Sequence, residues 1–135
     1  MVAEVPHAAV ALDPLFAILN DVLAEAFPCE AFAPYRVYVN RILPTDTTFP
    51  HRDSEPQSGD VTVLYYVNEQ WMREWGGETI FFDDEGDARI AIAPRPGRIV
   101  AFRGDLEHRV GVPTRLCTTD RLTLAYKVRR TEARR

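Results

Sequence analysis

A chain of 135 residues with a net charge of −4 is the size of one domain and can bury a core of its own. Its apolar and charged fractions, 46% and 27%, exclude a disordered or low-complexity chain. The mildly acidic balance argues against a nucleic-acid surface, and no apolar run is long enough for a membrane helix, so neither is an expected partner.

Glu4 stands where a secretion signal would place a cationic start, so no signal is expected. Cys29 and Cys117 are isolated, with no ligand-like spacing, which fits a reduced, cytoplasmic setting better than a disulfide framework. Residues 1–11, Ala/Val-rich with Pro6, are expected to be loose. Asp13-Pro14 opens a helix, an acidic cap followed by proline at the first helical position. Leu15, Phe16, Leu19, Val22, Leu23 and Ala26 keep helical spacing, and Pro28 ends the element, so residues 12–28 form one amphipathic helix that needs an apolar partner.

From Tyr35 the texture changes to short β-type runs separated by turn residues. Strands are predicted over Arg36–Leu43, Val61–Asn68, Glu78–Phe82, Arg89–Ala93, Arg98–Arg103, Glu107–Val112 and Arg121–Arg129, with a short extended piece at Pro50–Asp53. Asp83 to Asp87 reads as a solvated acidic turn without an EF-hand pattern. The closing Arg129-Arg130…Arg134-Arg135 reads as a frayed tail. The single domain 1–135 is therefore mainly β, with one N-terminal supporting helix and a β core over 35–129. Strands at this spacing suggest a jelly roll with room for one small ligand site. The last strand alternates: Leu122, Leu124, Tyr126 and Val128 take one face, which we assign to the helix. Arg121, Thr123, Ala125 and Lys127 take the other, assigned to the interior.

The chemistry concentrates at Phe49-Pro50-His51-Arg52-Asp53. In an extended segment, side chains two apart leave from the same face, so the His51 imidazole and Asp53 carboxylate can converge. His108 lies at the start of another β-type run, and the chain has only three histidines. Two imidazoles and one carboxylate form the set that holds non-haem Fe(II) while leaving coordination positions open. Arg121 opens the last strand with Thr123 as its next inward residue, and a buried guanidinium matches a carboxylate. Tyr65-Tyr66 points two rings to opposite faces, which allows either core packing for both or one ring in the core and one hydroxyl in the pocket. Trp71 and Trp75 more readily pin a long loop than line an entrance.

These motifs together resemble the Fe(II)/2-oxoglutarate-dependent dioxygenases, and most of all their prolyl-4-hydroxylase-like branch. The resemblance runs from His51-Arg52-Asp53 through Val63–Asn68, Trp75-Gly76-Gly77-Glu78-Thr79 and Pro96-Gly97 to His108 and Arg121-Leu122-Thr123-Leu124. It implies a double-stranded β-helix with iron held by His51, Asp53 and His108. Arg121 would bind the far carboxylate of 2-oxoglutarate, helped by Thr123 and Tyr66. It also implies O2 as co-substrate, ascorbate as an accessory, and hydroxylation of an unactivated C–H with release of succinate and CO2. The substrate partner would be a small molecule, an amino acid or a prolyl residue. Two other readings remain open at this point. A cupin-like isomerase or hydrolase with zinc on the same three ligands would have no use for Arg121. A non-catalytic jelly-roll binding module would hold no metal.

Overall fold

A computed structural model describes residues 1–133. It contains two helices, α1 (His7–Leu12) and α2 (Pro14–Ala26). The strands are β1 (Val2–Glu4), β2 (Glu30–Ile42), β3 (Val61–Tyr66), β4 (Thr79–Phe82), β5 (Ala88–Ile92), β6 (Ile99–Arg103), β7 (His108–Arg109) and β8 (Arg121–Ala133).

The start of α2 forms as the sequence dictates. The Asp13 carboxylate accepts a hydrogen bond from the Leu15 N–H at 2.9 Å, and Pro14 needs no donor there. Phe16, Leu19 and Leu23 recur along one face and are buried. They pack against Val37 of β2, Val61 and Val63 of β3, and Leu124, Tyr126 and Val128 of β8. Burying a side chain such as Leu19 contributes about 1.5–3 kcal/mol, so this one stripe anchors the helix.

The strands form two antiparallel sheets, ordered β1-β2-β8-β3-β6 and β5-β4-β7. The Phe81 and Phe102 rings meet edge-on across the interior, 4.9 Å between centroids, joining β4 to β6. This is the predicted double-stranded β-helix, with α2 covering the outer face of the larger sheet.

Four expectations need correction. Residues 1–11 are not loose. β1 pairs with β2 in the register Val2↔Asn40 to Glu4↔Tyr38, and α1 follows as a second helix. The open edge of β2 offers a row of unpaired backbone groups, which recruits the N-terminal segment. β2 begins at Glu30 rather than Arg36, because register shifts between Glu30/Phe32 and Pro34/Arg36 absorb a proline that cannot donate to the ladder. Arg129 and Arg130 are strand residues opposite Ala33 and Phe32, not tail, while Arg134 and Arg135 lie outside the described residues. The α2 helix stops at Ala26, with the Phe27 N–H capping onto the Leu23 carbonyl.

Candidate metal centre

The segment bearing His51 is short, yet its placement is tightly determined. The His51 N–H donates to the His108 carbonyl and the His108 N–H to the His51 carbonyl, both at 2.9 Å. This antiparallel bridge sets the two imidazoles side by side, 4.4 Å between ring centroids. The Asp53 N–H donates to the Gly104 carbonyl at 2.7 Å, which turns its carboxylate inward. One ligand atom from each of His51, Asp53 and His108 lies within 4.8 Å of the others.

Each imidazole is oriented by backbone. His51 Nδ1 faces the Phe49 carbonyl at 3.0 Å, and His108 Nδ1 faces the Leu106 carbonyl at 2.9 Å. A nitrogen against a carbonyl must carry the proton, so each neutral ring presents a bare lone pair at Nε2. Those Nε2 atoms lie 3.3 Å and 3.5 Å from Asp53 Oδ1 and Oδ2 respectively. Two lone pairs and an anion turned on one point form a donor set that fits a divalent iron. His108 is buried against the Phe81 and Phe102 rings, whereas the His51 side chain is 46% exposed at the mouth.

The charges follow from this packing. Burial alone would raise the Asp53 carboxyl, but the His51 hydrogen bond, the charges of His108 and Lys127 and the Thr62 hydroxyl hold it well below the usual range. The hydrogen bond to Asp53 raises His51, while burial lowers His108 against the opposing pull of Asp53.

Across the same cavity lies Arg121, 1% exposed. Its Nε donates to the Gly77 carbonyl at 2.8 Å, Nη1 to Thr123 Oγ1 at 2.9 Å and Nη2 to Thr79 Oγ1 at 3.1 Å. Tyr66 stands behind, its hydroxyl 2.8 Å from the same Thr79 oxygen and its ring 5.6 Å below the guanidinium. Gly77 is required here: its φ is +75°, and a Cβ would come within 3.1 Å of Trp71 and 3.3 Å of Arg121 Cδ. Burial lowers the Arg121 pKa, and among the described residues no carboxylate lies within ion-pair distance of it. A buried guanidinium without a counter-ion is costly, and an anionic ligand in the cavity would compensate it. His51, Asp53, His108, Thr123 and Arg121 line one small cavity of about 40 Å³.

The structure thus gathers every predicted site residue around this cavity, with Tyr66 one layer behind its wall. Sequence reasoning did not single out Thr62, Thr79, Tyr38, Asn40 or, as an actor, Lys127. The alternation of β8 placed Lys127 on the right face, but the partners from β2, β3 and β4 depend on a register that only the fold supplies. Trp71 and Trp75 stack edge-on at 5.2 Å, and the Trp71 Nε1 donates to the Gly76 carbonyl, so they pin the loop. Asp83, Glu85 and Asp87 also approach one another, but Asp83 accepts from the backbone of Glu85 and Asp87 and from Arg89, a self-contained solvated turn.

Comparison with known proteins bears on this geometry. A search of the curated proteins finds no match. Among solved structures, the chain is similar to a prolyl-4-hydroxylase from Pseudomonas putida, with 22% identity over 97% of this chain and 72% of that one, TM-score 0.69. It is also similar to a Trichoplax adhaerens prolyl hydroxylase in complex with a hypoxia inducible factor oxygen degradation domain peptide fragment, with 18% identity, 95% and 61% coverage and TM-score 0.72. A 2OG-Fe(II) oxygenase family oxidoreductase from Burkholderia pseudomallei gives 21% identity, 93% and 59% coverage and TM-score 0.70. The chain thus spans under two thirds of two of these three structures, and at such identities the likeness speaks for the fold. Family assignment comes from the sequence itself, since residues 37–127, from β2 to β8 and including both histidines, Asp53 and Arg121, match the 2OG-Fe(II) oxygenase superfamily. The chain belongs to that superfamily, the iron- and 2-oxoglutarate-dependent dioxygenases.

Proposed function

We propose that His51, Asp53 and His108 hold Fe(II), and that Arg121 binds the distal carboxylate of 2-oxoglutarate, in one domain covering residues 1–135. The observation that carries this reading is the pairing of a His-Asp-His cluster with a buried, counter-ion-free guanidinium on opposite sides of one cavity. Bound iron with 2-oxoglutarate and O2 would supply the oxidising power to hydroxylate an unactivated C–H, with succinate and CO2 as the released products and ascorbate as an accessory.

The protein's own residues do the rest. The two backbone carbonyls hold the Nδ1 protons of the imidazoles, so Nε2 is the atom each ring turns to a metal. Gly77, Thr79 and Thr123 hold the guanidinium fork in one orientation, and Tyr66 fixes the Thr79 hydroxyl. Two neutral imidazoles and one carboxylate leave a bound dication with net positive charge, suited to an anionic chelator. His51 at the mouth opens the metal side to a substrate from solvent, while His108 and Arg121 are sealed from water.

The substrate is a small molecule, an amino acid or a prolyl residue, and the shared fold with prolyl hydroxylases supports the last of these. Among the described residues no helix is long and apolar enough to cross a membrane, and a cytoplasmic location accords with the isolated cysteines. The test is succinate formation from 2-oxoglutarate with Fe(II) under air, alone and with a panel of prolyl peptides and free amino acids. Succinate formation that needs iron and disappears in Arg121→Ala is the expected result. Absence of any turnover, coupled or uncoupled, by iron-loaded protein would overturn the reading.

A further inference from the structure

The larger sheet carries one more charge toward the metal centre. Lys127 lies on β8, opposite Arg36 of β2 and Thr62 of β3, on the cavity face with Arg121, Thr123 and Ala125. Its side chain is 12% exposed, and its Nζ lies 3.4 Å from Asp53 Oδ1 and 5.2 Å from the Tyr38 ring centroid. The other Asp53 oxygen, Oδ2, accepts from Thr62 Oγ1 at 2.7 Å. Both carboxylate oxygens are therefore held by donors from the larger sheet, one neutral and one cationic.

We infer that Lys127 is a positioning residue that biases the iron site toward the ferrous state. This rests on the assignment of Asp53 as an iron ligand. When one Asp53 oxygen coordinates metal, the ammonium remains one carboxylate away, because strand pairing on both sides fixes its backbone and its nearly buried stem is held beside the Tyr38 ring. A fixed positive charge at that distance opposes a trivalent ion more than a divalent one, and low solvent exposure weakens the screening. It also draws electron density from the carboxylate, making Asp53 a poorer donor to ferric iron. Thr62, being neutral, orients Asp53 without this effect. The site then discriminates by charge: two neutral imidazoles and one partly neutralised carboxylate suit a dication.

The experiment is a redox titration of the iron-loaded protein, wild type beside Lys127→Met and Lys127→Arg, with far-UV circular dichroism to verify the fold. Lys127→Met should favour ferric iron at least tenfold more than wild type, a fall in midpoint potential of about 59 mV for a one-electron couple. Lys127→Arg, which keeps the charge, should stay at the wild-type potential. An unchanged potential in Lys127→Met, or a fall in Lys127→Arg as large as in Lys127→Met, overturns the inference. If Lys127→Met does not fold, the comparison of Lys127→Gln with Lys127→Arg decides on the same criterion. Wild-type protein that binds no iron would instead overturn the metal-site reading beneath it.

Discussion

The two faces of β8 differ in what they can lose. One face carries Leu124, Tyr126 and Val128 into the contact with α2, where apolar packing dominates and the Tyr126 hydroxyl adds one hydrogen bond to Asn20. The other carries Arg121, Thr123 and Lys127 over the cavity, where each side chain is a charge or a hydroxyl with a named partner. The first is a stability face, most tolerant of apolar residues that fill the same volume. The second places a cation and hydroxyls inside a sandwich, a cost that a jelly roll without a ligand would gain nothing by bearing. Residues alternating along one strand thus separate what keeps the protein folded from what it folds to do.

Substitutions on each face sharpen that contrast. Arg121→Ala should reduce 2-oxoglutarate-dependent succinate formation by about 100-fold or more, since losing one partner of a buried charged contact costs about 2–5 kcal/mol. Its urea midpoint should move less than that of Leu19→Ala, because among the described residues the removed cation has no carboxylate within ion-pair distance. Leu19→Ala, at a position with 0% exposure on the opposite side, should cost about 2–5 kcal/mol of unfolding free energy. The folded fraction should still bind metal like wild type. Equal loss of activity and stability in both variants would erase the distinction between the faces.

Smaller changes test it more finely. Tyr126→Phe removes the hydroxyl that donates to Asn20 Oδ1 at 2.8 Å, and should cost about 1 kcal/mol in chemical denaturation without altering metal affinity. A still smaller effect belongs to neither face. Glu30, between Arg103 and Arg130 at the end of the sandwich, has its carboxyl lowered chiefly by the Arg103 hydrogen bond. Its stabilisation is present above the ordinary glutamate value and is lost as pH falls through the lower folded value. Glu30→Gln should therefore flatten the acid limb of the stability profile by less than about 1 kcal/mol, measured by urea unfolding from pH 7 downward.

Much of this was legible from residues alone. The helix start at Asp13-Pro14, the alternation of β8 and the spacing of His51 and Asp53 are local signals, and local signals survive without knowledge of the fold. The N-terminal strand was not legible, because Val2–Glu4 has no strand pattern of its own and is recruited by the edge of β2. The early start of β2 was hidden by Pro34, which reads as a breaker until bulges accommodate it. Thr79 and Thr62 look like ordinary strand residues, and only register brings one to Arg121 and the other to Asp53.

The account stands on three side chains binding one iron ion. The most direct measurement is an anaerobic Fe(II) titration of wild type, His51→Ala, Asp53→Ala and His108→Ala, read as bound metal per chain. The account predicts one equivalent bound by wild type and an affinity loss of about 100-fold or more in each variant. One equivalent bound with wild-type affinity in any of the three variants, or none bound by wild type, would contradict it.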